Sequence, residues 1–398
     1  MQFRSSLALT GLAVFGGLCV LGPDAVLTAG AQPAGGHIPT SPAEERTMAI
    51  IPPSGAGVPR PPRPAARPGP ARPRRPEPPE VVSLHPKPGA TNVTTGSRIV
   101  VTLSAPPAPH AQMPVLSPPV AGDWTVQGRT LTFTPESGYR PWSSVRVSFP
   151  KSLAAAKPST FEVGSVPLLR FQEALAELHY LPLRFGPTPS TSALRYEATK
   201  QATVRTTAEP GVFTWRYPNI PASLAALWAP GQMSVLTQGA IMVFEADAGL
   251  PVDGLPGQQV WAALASALAH RNQDVDPYDY LVVSEALPES LVVWQDGKYV
   301  FQSLANTGVD GAQTPVGTWP VYERFVTTTM AGTDPDGVSY DVSGVPWVAY
   351  FNGGDAVHGY WRASYGWPQS NGCVELPVSD AAVVWTMDPV GTLVTVNP

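Results

Sequence analysis

His358-Gly-Tyr-Trp-Arg-Ala-Ser-Tyr-Gly-Trp-Pro-Gln-Ser-Asn-Gly-Cys-Val-Glu-Leu376 carries the chemistry of this 398-residue chain. Of two cysteines, Cys19 and Cys373, only the second lies outside the apolar N-terminus, and His358 is the only histidine beyond His270. A thiol with its ordinary pKa near ~8.5 is a poor nucleophile at neutral pH until a base or a positive neighbour supplies thiolate. Histidine, ordinarily near ~6.5, is the natural partner. Gly372 permits tight backbone geometry, so the amides of Gly372 and Cys373 can face a developing oxyanion, a pair of donors worth about 3 kcal/mol each. Ser370 or a backbone carbonyl is available to orient the imidazole. Read without further context, the same cysteine is equally well a small buried apolar side chain.

Around this stretch the pattern is β. Tyr280-Leu-Val-Val283, Ser290-Leu-Val-Val-Trp294 and Tyr299-Val-Phe-Gln302 read as strands, with Asp296-Gly297 as a two-residue hairpin turn. Val345 to Phe351 is a further strand, and a helix over Ser379 to Met387 precedes a last strand, Gly391 to Val396. Working upstream, Leu168, Phe171, Ala174, Leu175 and Leu178 fall on one helical face, and two more helical pieces carry Ala240, Ile241, Phe244, Ala248 and then Val260, Trp261, Leu264, Leu268. Earlier still, Arg98 to Leu103, Arg129 to Thr134 and Ser144 to Phe149 are short strands punctuated by Pro88-Gly-Ala-Thr-Asn92 and Pro135-Glu-Ser-Gly138. That spacing predicts a small antiparallel sandwich.

Forty-eight prolines are far above the usual share. They concentrate between Pro52 and Glu80 with six interspersed arginines, the composition of an extended spacer. At the start, Arg4, an apolar run from Leu7 to Leu21 and Ala29-Gly30-Ala31 have the layout of an export signal, with retention as an anchor the rival reading. Once that signal is removed, Cys373 is a lone thiol in an oxidising compartment and calls for an explanation. Charge is sparse at 14% with a net −5, and no basic stripe points to nucleic acid. The expected layout is therefore multidomain: signal peptide 1–31, proline-rich linker 32–80, β-sandwich 81–164, helical domain 165–272 and a mainly β domain, 277–398, that carries His358 and Cys373.

Three segments resemble known families. The 81–164 pattern resembles immunoglobulin-like modules. "FQEALAELHYLP" and "GAIMVFEADAGLPVDGLPGQQVWAAL" resemble the two halves of a peptidoglycan-binding helical module, separated here by a long insertion containing Thr214-Trp-Arg-Tyr217. "HGYWRASYGWPQSNGCVEL" resembles the signature of the L,D-transpeptidases, and Thr307-Gly308 with Gln313-Thr-Pro-Val-Gly-Thr318 resembles their upstream turn. This last resemblance implies Cys373 as the acylated nucleophile, His358 as general base, Gly372 and Cys373 as oxyanion amides and Ser370 as a site-shaping hydroxyl. It places Gly359, Tyr360, Tyr340, Trp347 and Asn371 along the substrate cleft. Asn371 stands where the family usually has a second histidine, and Glu375 where Arg or Asn is common, reversing a local charge. The implied partners are donor and acceptor peptidoglycan stem tetrapeptides, with a carbapenem as covalent inhibitor and no metal, cofactor or obligatory protein partner. The implied place is the cell envelope. Water in place of an acceptor amine makes the enzyme an L,D-carboxypeptidase, and a non-catalytic wall-binding protein or a different thiol hydrolase are the competing classes.

Overall fold

The computed structural model describes residues 77–153, 156–188 and 204–398, all within one compact unit, Pro73–Pro398. The expected signal, 1–31, and nearly all of the expected linker, 32–80, lie outside the described residues.

The first domain contains β1 (Val81–His85), β2 (Ile99–Leu103), β3 (Val115–Ser117), β4 (Gly122–Gln127), β5 (Thr130–Pro135), β6 (Ser144–Ser148) and β7 (Ser159–Glu162). They form two antiparallel sheets, ordered β1-β2-β5-β4 and β3-β6-β7. Period-two patterning explains why they face each other: Ile99, Val101 and Leu103, then Leu131 and Phe133, then Val145 and Val147 are buried while their neighbours are not.

The helical region follows as α1 (Leu168–Glu177), β8 (Leu183–Pro187), β9 (Gly211–Trp215), α2 (Ala222–Ala225), α3 (Val235–Asp247) and α4 (Gln258–His270). The apolar stripe of α1 is buried as its spacing predicts, but so are Arg170, Gln172 and Glu173. Each has work to do. The Gln172 amide donates to Ala229 O, Gln232 O and Thr237 Oγ1 and accepts from Gly231 N, which locks α1 to the loop before α3. Arg170 donates to Arg205 O and pairs with Glu173, whose other oxygen accepts from Glu209 N. The strap 204–209, part of the expected insertion, is thereby fixed on α1. Its Thr206 also donates to Ser137 O and Tyr139 O and accepts from Thr95 at its carbonyl, joining the helical region to the sandwich.

The last domain comprises β10 (Asp279–Ser284), β11 (Ser290–Gln295), β12 (Lys298–Leu304), β13 (Gly317–Pro320), β14 (Glu323–Thr333), β15 (Ser339–Asn352), β16 (Asp355–Gly359), β17 (Val374–Leu376), α5 (Val378–Val384) and β18 (Leu393–Asn397). One sheet runs β12-β11-β10-β18-β13 and the other β14-β15-β16-β17, with β10–β18 and β16–β17 the parallel pairs. Leu281, Val283, Leu291, Val293, Val357, Val374 and Val394 fill the space between the sheets. The opposite face of the first sheet is covered too: Tyr280, Trp294 and Leu393 are buried in the helical core, not their own. Two buried faces explain why β10 reads as a continuous apolar run rather than an alternation. The Asp296-Gly297 turn is present as expected, with φ of 47° and 92° and Gln295 opposite Lys298.

Candidate active site

Parallel pairing of β16 with β17 is what brings Cys373 and His358 to the wall of one cleft. Val357 lies opposite Val374 and His358 opposite Glu375, so Cys373 enters the sheet beside Ala356 while residues 360–372 make the crossover. Cys373, His358, Ser370, Asn371, Tyr340 and Tyr360 all line one cleft of about 550 Å³.

The Cys373 turn is held from below. Ser370 Oγ donates to Cys373 O at 2.6 Å and accepts from Gly372 N at 3.2 Å. Ser370 therefore shapes the turn and does not orient the imidazole. The Gly372 amide, expected to face an oxyanion, would have to leave Ser370 to do so. The turn in turn hangs on the Thr307-Gly308 loop: Gln369 and Ser370 donate to Thr307 O, and Val309 donates to Ser370 O. Gly308 is required there because a Cβ would sit 2.0 Å from Ala312 O. Beneath the loop is Glu289, 1% exposed, which accepts from Thr307 N at 2.6 Å and Thr307 Oγ1 at 2.7 Å. Nothing in the sequence pattern marked Glu289, since a lone glutamate in a turn reads as solvated.

Imidazole orientation comes from the backbone. His358 is buried and its Nδ1 lies 3.1 Å from Gly359 O. A carbonyl can only accept, so Nδ1 carries the proton and Nε2 is the free acceptor. Burial lowers the imidazole below its usual 6.5. The partly exposed Cys373 thiol is pushed up to about 12, first by burial and then by the charges of Asp355 and Glu375, against the help of the Ala356 amide. The resting pair is thus a neutral thiol and a neutral base.

The charge of Glu375 is met within the cleft by Arg362. Arg362 Nε and Nη2 grip its two oxygens at 2.7 and 2.8 Å, and Arg362 also donates to Gln369 O and lies 4.8 Å over the Tyr360 ring. Sequence reasoning missed Arg362 as the partner, although an unmatched Glu and Arg in one motif were the available signal. It missed Asp355 as well. This cleft residue opens β16, accepts from Asn352 at 3.2 Å and has its carboxyl pushed up to about 6 by burial.

Trp347 is not brought to the cleft. It stands with φ 58°, outside the β alternation, and its ring packs 6.0 Å from that of Trp385. Gly344 is left-handed as well, and the ladder slips between Thr328 and Met330. These breaks let Tyr340, Val342, Val345 and Tyr350 all line the cleft despite unequal spacing. Gly359 abuts Pro346, Val378 and Ala381. Among the described residues no group of three or more His, Cys, Asp or Glu side chains could share a metal ion.

Residues 278–396 match the YkuD family, the L,D-transpeptidase catalytic domain, and residues 75–163 match Big_5, a bacterial Ig-like domain. No curated protein matches the chain significantly. Among solved structures, an L,D-transpeptidase from Mycobacterium smegmatis is 14% identical, with 81% of this chain and 100% of that one covered and a TM-score of 0.28. L,D-transpeptidase 3 from Mycobacterium tuberculosis, in complex with a faropenem-derived adduct, is 15% identical over 80% of this chain and 98% of that one, TM-score 0.28. The catalytic domain of the E. faecium L,D-transpeptidase is 25% identical over 31% of this chain and 100% of that one, TM-score 0.28. By its domains, the chain carries an L,D-transpeptidase catalytic domain behind a bacterial Ig-like domain.

Proposed function

We propose that this is an exported L,D-transpeptidase that forms 3→3 peptidoglycan cross-links through a Cys373 thioester. One observation carries the reading: the thiol and a buried imidazole with its acceptor nitrogen free line the same cleft. His358 Nε2 takes the thiol proton as the sulfur attacks the carbonyl between the third stem residue, a diamino acid, and its terminal D-alanine. The carbon–nitrogen bond breaks, D-alanine leaves with the proton from the imidazolium, and the stem remains as thioester. A side-chain amine of a second stem then displaces the sulfur. Tyr340, Tyr360 and Asn371 are the walls available to the stem peptide. The helical region holds the enzyme against glycan on this reading, supported by its sequence likeness to a peptidoglycan-binding module.

Incubation with a carbapenem followed by intact mass tests the proposal. A single covalent adduct is expected on the wild type and none on Cys373→Ala. A folded wild type that stays unmodified overturns it in favour of a wall-binding role.

A further inference from the structure

Asp355 works against the nucleophile it adjoins. Cys373 Sγ lies 3.8 Å from Gly354 O, and the Ala356 amide also reaches the sulfur, so the thiol sits across the backbone of Asp355. The carboxylate flanks the residue before the nucleophile as well: its Oδ1 lies 2.4 Å from where a Cβ on Gly372 would be. Among the described residues only Oδ2 has a hydrogen bond, from Asn352 across the Gly353-Gly354 turn. Among the described residues no cation offsets it. The one guanidinium among the described cleft residues, Arg362, has both its bonded nitrogens committed to Glu375 and Gln369. A half-buried carboxylate that raises the neighbouring thiol and has no counter-ion among the described residues is a standing cost. A cationic substrate group removes that cost.

We propose that Asp355 receives the acceptor stem: its carboxylate binds the side-chain ammonium of the incoming diamino acid and takes a proton from it as the nitrogen attacks the thioester. This rests on the transpeptidase reading. The nitrogen–carbon bond forms and the carbon–sulfur bond breaks. Of the two protons the nitrogen gives up, one passes to Asp355 and the other, by way of His358, to the departing sulfur; Asp355 then returns its proton to water. A carboxyl pushed up to about 6 is still ionised at neutral pH, yet is a stronger base than an ordinary aspartate. Binding the ammonium also cancels the negative charge beside the sulfur and makes thiolate a better leaving group.

The test uses the mature chain with a synthetic stem tetrapeptide as donor and a diamino-acid stem as acceptor. Mass spectrometry gives the ratio of cross-linked to hydrolysed product, and a carbapenem gives the acylation rate of Cys373 separately. In Asp355→Asn the ratio is expected to fall at least about tenfold further than the acylation rate does. Asp355→Glu, which keeps the charge, recovers part of it. A ratio that falls no further than acylation in the asparagine variant, or that stays equally low with glutamate, overturns the role. No carbapenem adduct on the wild type overturns the transpeptidase reading and this proposal with it.

Discussion

A histidine donating through Nδ1 to its own strand's carbonyl, in the same cleft as a thiol that burial pushes up, has kinetic consequences at the residue scale. Because burial lowers the imidazole, acylation should stay level from neutral pH upward and fall only below 6.5, the ordinary value for the group. A stopped-flow rate profile with a carbapenem checks this, and an acid limb centred above that value contradicts a neutral base. His358→Ala should slow acylation by about 10²–10⁴ at neutral pH, measured by the same reaction. The meeting of Cys373 and His358 in one cleft was legible because each is nearly unique in its part of the sequence. Arg362 and Asp355 were not. Their places follow from a crossover that folds Arg362 back onto Glu375 and a turn that sets the Asp355 carboxylate against Gly372, and linear spacing encodes neither.

Single elements are also informative. The Cys373 turn is the top of a stack: Ser370 beneath it, the Thr307 loop beneath Ser370, and buried Glu289 at the base. Ser370→Ala removes the hydroxyl that serves both Cys373 O and Gly372 N, and should cost about 1–2 kcal/mol in urea unfolding. Glu289→Ala strands the buried Thr307 N–H and should cost about 2–4 kcal/mol, with acylation slowed because the turn above loses its footing. Stability unchanged in Glu289→Ala would contradict this stacked arrangement. At this scale the strong patterns were legible: the sandwich strands, the stripe of α1 and the Asp-Gly hairpin. β15 shows why some were not. Its left-handed Gly344 and Trp347 break the alternation, so the family resemblance put Trp347 in the cleft when its ring packs against Trp385.

At the scale of the whole molecule, the catalytic domain does not own all of its core. Trp294 is fully buried, donates to Asn219 O at 3.0 Å and packs edge-on to Tyr217 at 5.9 Å, both in the helical region. Trp294→Ala should therefore cost about 3–5 kcal/mol and lower the unfolding of both regions together, seen as one shifted calorimetric transition. Two separate transitions, with only one displaced, would show that the regions are independent. The changes of period mark where one sequence pattern gives way to the next but could not reveal this sharing, because an apolar residue does not state which neighbour will cover it. The strap at Thr206 extends the point toward the N-terminus. A hybrid enzyme that borrows only the sandwich from another source leaves Thr206 without Ser137 and Tyr139 to bond, and one that borrows only the last domain leaves a bare tryptophan. What looks from its periodicities like three interchangeable parts is inherited as a single piece.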